Sequence, residues 1–210
     1  MNGIHPRTTG AASAARNVTA AMPQRPTRPK HTQAFCPKRN RKAGCTGRIC
    51  PKPCNSCHQA VVSVFVTSRH YQHLKGSGLG PGCTACHEHM VSQSPQTPLQ
   101  TATLCAQCHA TVNGLMPMKL EILDQAQNFM HSLNRANVAV TWAESLFSVA
   151  ENRRLELRLE RLELAEARGA LREAKVRWHA FEPEASRKKA DEAFTTAMKL
   201  KDALQQKIGY

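Results

Sequence analysis

One segment organises the sequence. Residues 54–90 read CNSCHQAVVSVFVTSRHYQHLKGSGLGPGCTACHEHM and contain two copies of one pattern, Cys-x-x-Cys-His. A third copy, CAQCH, occupies residues 105–109. The chain has nine cysteines and ten histidines among 210 residues. With that composition the pattern is expected by chance roughly 0.02 times, so three copies are not a coincidence.

The pattern has a specific chemistry. Two thiols three positions apart can add across the two vinyl groups of one porphyrin, and the histidine that follows is then held beneath the iron as its proximal ligand. The sequence therefore predicts three covalently attached haem c groups. The attaching residues are Cys54, Cys57, Cys83, Cys86, Cys105 and Cys108, and the proximal ligands are His58, His87 and His109.

Zinc is the main alternative cofactor. Four cysteines have the C-x2-C-x18-C-x2-C spacing of a zinc ribbon, namely Cys83, Cys86, Cys105 and Cys108. A four-cysteine zinc site does not require a histidine after each pair, whereas every pair here has one. This difference favours haem over zinc, with disulfide bonds as a third alternative.

Histidines outside the motifs are candidates for the second axial ligand of iron. We expect His70, His89 and His179 to serve as distal ligands. The first two lie among the motifs, and His179 lies near the end of a predicted helix. His73 and His131 are weaker alternatives. An iron with two histidine ligands is six-coordinate and relays electrons, because it has no open position for a substrate.

Charge and composition divide the chain into three parts. Residues 1–87 contain 13 Lys and Arg and no Asp or Glu, whereas the rest of the chain is nearly neutral, and the formal net charge is +14. We interpret residues 1–50 as a basic, disordered arm, residues 51–116 as the multihaem module and residues 117–210 as a helical region.

The central part lacks the pattern of an ordinary domain. Residues 36–115 are loop-like, with Gly, Pro, Ser and Thr recurring, and only Ala60–Val66 is apolar enough for a short element. Side chains alone supply little core here. Three porphyrins would provide that missing apolar surface, so we expect a loop-rich module organised around covalent haems.

The C-terminal part has helical periodicity. From Met118 onward apolar residues recur at three- and four-residue spacing, at Leu123, Ala126, Met130, Leu133 and Val140. The residues at 151–154 interrupt this rhythm, with Asn152 as a candidate left-handed cap. We therefore expect a mainly α fold whose C-terminal bundle has about three helices.

The second and third of these helices are bounded by a proline. The second has an apolar side made of Leu155, Leu159, Leu162 and Ala170. Glu182-Pro183 ends it, because the residue before a proline leaves the helical region, and Pro183 suits the first turn of a third helix. The three leucines are expected in the core rather than on a partner surface.

The stretch from Cys54 to His109 resembles the bacterial multihaem c-type cytochromes, of the cytochrome c3 and c554 kinds. The resemblance rests on the order of four patterns. A CxxCH motif is followed by F-x-x-S-x-H, then by a glycine-rich segment, and then by a second CxxCH motif with another histidine two residues after it. Phe65, Ser68, His70 and Gly82 stand in those places. The tail resembles the helical region of multihaem nitrogen-oxide enzymes, in which a helix histidine reaches back to a haem. This implies a distal role for His179.

Two features depart from this pattern. Haem c is attached outside the cytoplasm, so a periplasmic or extracellular location is expected, yet residues 1–35 contain no apolar stretch of the length that an export signal needs. Cys36, Cys45 and Cys50 have no haem role by spacing. Three explanations of these cysteines stay open. They could form a disulfide and leave one free thiol, bind a metal with Cys54, or be the remnant of an upstream haem module.

Three functions follow from these patterns. The first is electron transfer by a trihaem cytochrome c, a carrier rather than an enzyme, with acidic redox proteins or a membrane quinol-oxidising or reductase complex as partners. The second is a haem-containing reductase or oxidase of small nitrogen or sulfur species, which needs one iron with a vacant distal position. The third is a zinc-binding protein associated with nucleic acid through the basic arm. We expect the first, with no nucleic-acid partner.

Overall fold

The computed structural model describes residues 55–87, 94–110 and 118–209, which all belong to one compact unit spanning Ala34–Tyr210. Within these ranges the chain forms helices and no strand. The expected basic arm at residues 1–50, Cys54 and His89 lie outside the described residues. The helices are α1 (Gln59–Phe65), α2 (Arg69–Gly76), α3 (Cys83–Cys86), α4 (Pro98–His109), α5 (Glu121–Asn152), α6 (Arg158–Trp178) and α7 (Pro183–Ile208).

The three long helices α5, α6 and α7 form the predicted C-terminal bundle. Connections of a few residues join them in sequence, and each packs against the other two. Their shared core is rich in alanine, which lets helix backbones approach closely, and larger side chains fill the remaining space. The fully buried members are Phe129, Ala136, Ala143, Ala150, Ala167, Ala174, Ala190, Ala193, Ala197, Leu200 and Leu204.

The predicted apolar side of the second helix is partly wrong. Leu159 is 70% exposed and Leu162 is 65% exposed, whereas Ala170 is buried and Leu155 packs against the core. The buried face of α6 instead runs through Leu164, Ala167, Leu171 and Ala174. Leu159 and Leu162 fall outside this face, on which two alanines and two leucines alternate.

The end of α5 also differs from the prediction. Asn152 is the last helical residue, and the left-handed residue is Arg154, with φ 56°. The amide of Arg154 donates to the carbonyl of Glu151 at 2.9 Å, and the amide of Leu155 donates to the carbonyl of Ala150 at 3.2 Å. This is a Schellman ending, in which Leu155 returns to the core while the exposed Arg154 takes the position that glycine usually occupies.

The expectation of a loop-rich module is not confirmed in the part of residues 51–116 that the structure describes, where four helices lie. Capping side chains begin two of them, α2 and α4. The Ser68 hydroxyl accepts from the amide of Tyr71 at 3.1 Å and starts α2. Thr97 and Gln100 form a reciprocal capping box around Pro98 at the start of α4. These local bonds stabilise helices that bury little apolar surface.

The short helices contribute few side chains to the interior. In the described part of this module the buried hydrophobic residues are Val62, Phe65 and Ala102. Helix α4 packs on α5, and α1 packs on α6. The amide of Lys119 donates to the carbonyl of His109 at 3.0 Å, which ties the end of α4 to the chain entering α5.

None of the described helices combines the length and the apolar character that crossing a bilayer requires.

Candidate functional site

Histidines from distant parts of the chain gather where α6 ends. The turn His179–Phe181 connects α6 to α7, and its side chains contact residues of the short helices. The stacked rings of Phe129 and Trp178, with centroids 4.4 Å apart, hold the end of α6 against α5 beside this turn. The bundle therefore presents one of its ends to the Cys-x-x-Cys-His segments.

His70 and His109 form the first histidine pair. Their ring centroids are 6.0 Å apart and their planes are inclined by 88°. His70 lies in the first turn of α2, which Ser68 caps, and His109 is the last residue of α4. A predicted distal ligand thus faces the predicted proximal ligand of the third motif.

The environment of His70 favours a neutral imidazole. Burial, together with the neighbouring His109 and His73, lowers the pKa of His70 to about 4. The Nδ1 atom of His109 is buried and has no hydrogen-bond partner. A neutral imidazole is the form that binds a metal ion, since the ring nitrogen then keeps a free lone pair.

His87 and His179 form the second pair. Their ring centroids are 5.9 Å apart and their planes are inclined by 12°. The Nδ1 atom of His179 lies 2.9 Å from the carbonyl oxygen of Lys175. A carbonyl oxygen only accepts, so Nδ1 carries the proton and Nε2 is left with its lone pair. This second-shell contact is typical of metal-binding histidines.

Burial and neighbouring histidines lower the pKa values of both rings in the second pair. Burial, followed by the neighbouring His87 and His58, lowers the pKa of His179 against the opposing effect of its bond to the Lys175 carbonyl. Burial and the neighbouring His58 lower the pKa of His87. Both rings are therefore neutral at pH 7.

The cysteines of the second and third motifs lie in helices. Cys83 and Cys86 lie in α3, and Cys105 and Cys108 lie in α4, so each pair shares one helix face. Burial raises the pKa of Cys86, and burial with the neighbouring Cys86 raises that of Cys105 to about 11. These two groups are thiols at neutral pH.

The first motif is less complete in the described residues. Cys57 and His58 are exposed, and the predicted distal ligand His89 and the thiol of Cys54 fall outside the description. His58 is nonetheless close enough to lower the pKa values of His87 and His179. The weaker alternatives His73 and His131 are both exposed.

The ring separations of the two pairs leave room for one metal ion between the rings. A metal–imidazole bond is about 2 Å long and the ring nitrogen lies about 1 Å from the ring centre, so two imidazoles on opposite sides of one metal have centres about 6 Å apart. The observed separations are 6.0 Å and 5.9 Å. In the residues that the structure describes, no group of three or more His, Cys, Asp and Glu side chains converges as a metal site.

One further residue lies at the site, and no sequence pattern predicted it. Phe181, in the left-handed conformation with φ 58°, places its ring 3.9 Å from that of His70. The turn signal Glu182-Pro183 indicated a helix boundary there but not the direction of the aromatic ring.

Comparison with family models, curated proteins and solved structures found no match to this chain.

Proposed function

We propose that the chain is an electron-transfer cytochrome that carries three haem c groups. The observation that carries this proposal is the pairing of His70 with His109 and of His87 with His179, at ring separations of 6.0 Å and 5.9 Å. Each pair joins a motif histidine to a histidine far away in the sequence. A six-coordinate haem iron takes two such ligands in addition to the four porphyrin nitrogens.

The thiols and the core support the same proposal. Thioether attachment adds the S–H group of a cysteine across a vinyl group, with the proton going to carbon and the sulfur bonding to the neighbouring carbon. Cys86 and Cys105 have the S–H form. Few side chains of the short helices are buried, so a bound porphyrin would supply apolar surface that the described segment lacks.

The roles of the residues follow from their positions. The motif cysteines would hold the cofactors, and the pairs His109 with His70 and His87 with His179 would each supply the two histidine ligands of one iron. The bound haems supply one-electron chemistry. Two histidines at each haem would leave no open position on its iron for a small molecule, which suits relay of electrons rather than substrate turnover.

One observation favours the alternative of a small-molecule reductase. His58 is exposed, and among the described residues no aromatic ring pairs with it as His70 pairs with His109. If His58 binds an iron whose opposite side stays open, that iron is where nitrogen or sulfur species would react. His89 as its distal ligand would close the position.

The test is a count of haems and of open irons. The full chain is exported, behind an added signal, from a bacterium that matures c-type cytochromes, and is analysed by pyridine haemochrome, intact mass and metal content. We expect three haems per wild-type chain. The C105S/C108S variant should carry two, and the C36S control should carry three. Colourless protein that contains zinc would overturn the proposal.

Carbon monoxide then separates the two haem functions. The reduced protein of an electron carrier keeps its spectrum under carbon monoxide, because both axial positions of every iron are filled. A spectral change equivalent to one of the three haems would favour the reductase function over the electron carrier.

A further inference from the structure

The turn between α6 and α7 is unusually well defined for a connection. Three successive amides donate to carbonyls three residues earlier: His179 to Val176 at 3.1 Å, Ala180 to Arg177 at 2.9 Å and Phe181 to Trp178 at 2.9 Å. The backbone then turns left-handed at Phe181, with φ 58°. Only glycine, and to a lesser degree Asn and Asp, adopts this conformation without strain.

The side chain of Phe181 explains why a strained residue stands there. Its ring centroid lies 3.9 Å from that of His70, with the planes inclined by 49°, and 6.3 Å from that of the buried Phe65. Phe65 in turn meets Tyr71, the residue after His70, edge to face at 5.5 Å. The left-handed backbone thus directs an aromatic ring onto the imidazole of a proposed ligand.

We infer that Phe181 is a positioning residue, which holds the ring of His70 perpendicular to the ring of His109 and shields it from water. This inference rests on the proposed haem function. The observed inclination of the two imidazoles is 88°. The second pair has a different orienting contact, the bond from Nδ1 of His179 to the Lys175 carbonyl, and its planes are inclined by only 12°.

The angle between two axial imidazoles has a measurable electronic consequence. Nearly parallel planes split the two iron d orbitals that overlap with the rings, which produces a rhombic low-spin ferric signal in electron paramagnetic resonance. Perpendicular planes leave those orbitals close in energy, which produces a strongly anisotropic signal. The haem held by His70 and His109 should show the strongly anisotropic signal, and the one held by His87 and His179 the rhombic signal.

The test compares variants of the oxidised holoprotein. Phe181→Leu and Phe181→Gly remove the aromatic ring, and glycine also tolerates the left-handed backbone, so that variant keeps the turn. We expect both to shift or broaden the strongly anisotropic signal and to leave the rhombic signal unchanged. Phe181→Tyr keeps an aromatic ring at this position and should show the wild-type spectrum. Phe194→Leu is the matched control, since Phe194 lies in α7 beneath Arg135 and should alter neither signal.

A potentiometric titration supplies the second measurement. Loss of the phenyl ring lets water reach the His70 side of the haem, which favours the more highly charged ferric state and lowers the reduction potential of that one haem. If Phe181→Leu and Phe181→Gly retain three haems and change neither the strongly anisotropic signal nor this potential, the positioning role of Phe181 is wrong. That result would leave the proposed cytochrome function unaffected. Wild-type protein without haem would instead overturn the proposed function.

Discussion

The ring of His179 is oriented by its own helix, because its Nδ1 donates to the carbonyl oxygen of Lys175, one turn earlier, at 2.9 Å. This bond leaves Nε2 unprotonated on the ring that faces His87. The C-terminal bundle therefore does more than support the motif segments. It contributes one member of a histidine pair, already in the tautomer that binds metal.

Removal of this side chain should open one iron. In the His179→Ala holoprotein, carbon monoxide should bind one of the three haems after reduction, because the axial position opposite His87 is then vacant. Optical difference spectra measure the fraction of haem that binds. His131→Ala is the matched control, since His131 is an exposed histidine on α5, and it should bind none. An equal response from both variants would contradict the ligand role of His179.

Ser68 should stabilise the helix that carries His70. Its hydroxyl caps α2 by accepting from the amide of Tyr71. Ser68→Ala should lower the free energy of unfolding by about 1 kcal/mol, measured by denaturant titration. The control is Ser63→Ala, which removes an exposed hydroxyl that donates to the carbonyl of Ala60, and it should change stability by less than about 0.5 kcal/mol. Equal losses would show that the cap is unimportant.

The ion pair between Glu160 and Lys207 should make the bundle sensitive to acid. The Glu160 side chain is 7% exposed, and its hydrogen bond to Lys207 is the largest cause that lowers the pKa of the carboxyl below its usual 4.5. The unfolded chain therefore takes up this proton more readily than the folded chain. The stabilisation is complete above pH 4.5 and is lost as the pH falls through the folded-state pKa.

Two substitutions test this dependence. Lys207→Met leaves the carboxylate buried without its cation and should cost about 1–3 kcal/mol at pH 7, measured by thermal or denaturant unfolding. Glu160→Gln should flatten the loss of stability below pH 4.5. Lys199→Met removes an ammonium that is 77% exposed and pairs with Glu163, so it should have an effect below about 0.5 kcal/mol. A steep acid loss that persists in Glu160→Gln would assign the dependence to other groups.

Arg154 is a site where substitution should increase stability. It is exposed and left-handed at the Schellman ending of α5. Glycine has no Cβ to clash in that conformation, so Arg154→Gly should raise the free energy of unfolding by about 0.5–1 kcal/mol. Arg172→Gly, at an exposed position inside α6, should have the opposite sign, with a loss of about 1 kcal/mol. Destabilisation by both would show that the left-handed backbone at residue 154 carries no strain.

The extent of sequence-based prediction differs between the two halves of the described chain. The 3–4 spacing of Ala126, Met130 and Val140 identified the buried side of α5, and these residues are buried. The same reasoning failed for Leu159 and Leu162, because the buried face of α6 runs through Leu164, Ala167, Leu171 and Ala174 instead. The apolar stretch Ala60–Val66 predicted the element that forms α1. Helices α2 and α4 went unrecognised because their signals are caps, such as Thr97 and Gln100, rather than apolar periodicity.

The sequence by itself determined the local chemistry: pairs of cysteines one helical turn apart, each followed by a histidine, and the three long helices. These features depend on residues within a few positions of one another, so spacing alone encodes them. Only the tertiary structure decided that His70 faces His109, that His87 faces His179, and that Phe181 packs on His70. Those contacts join residues far apart in the chain, and they form because the end of α6, held by Trp178 against Phe129, packs beside the short helices.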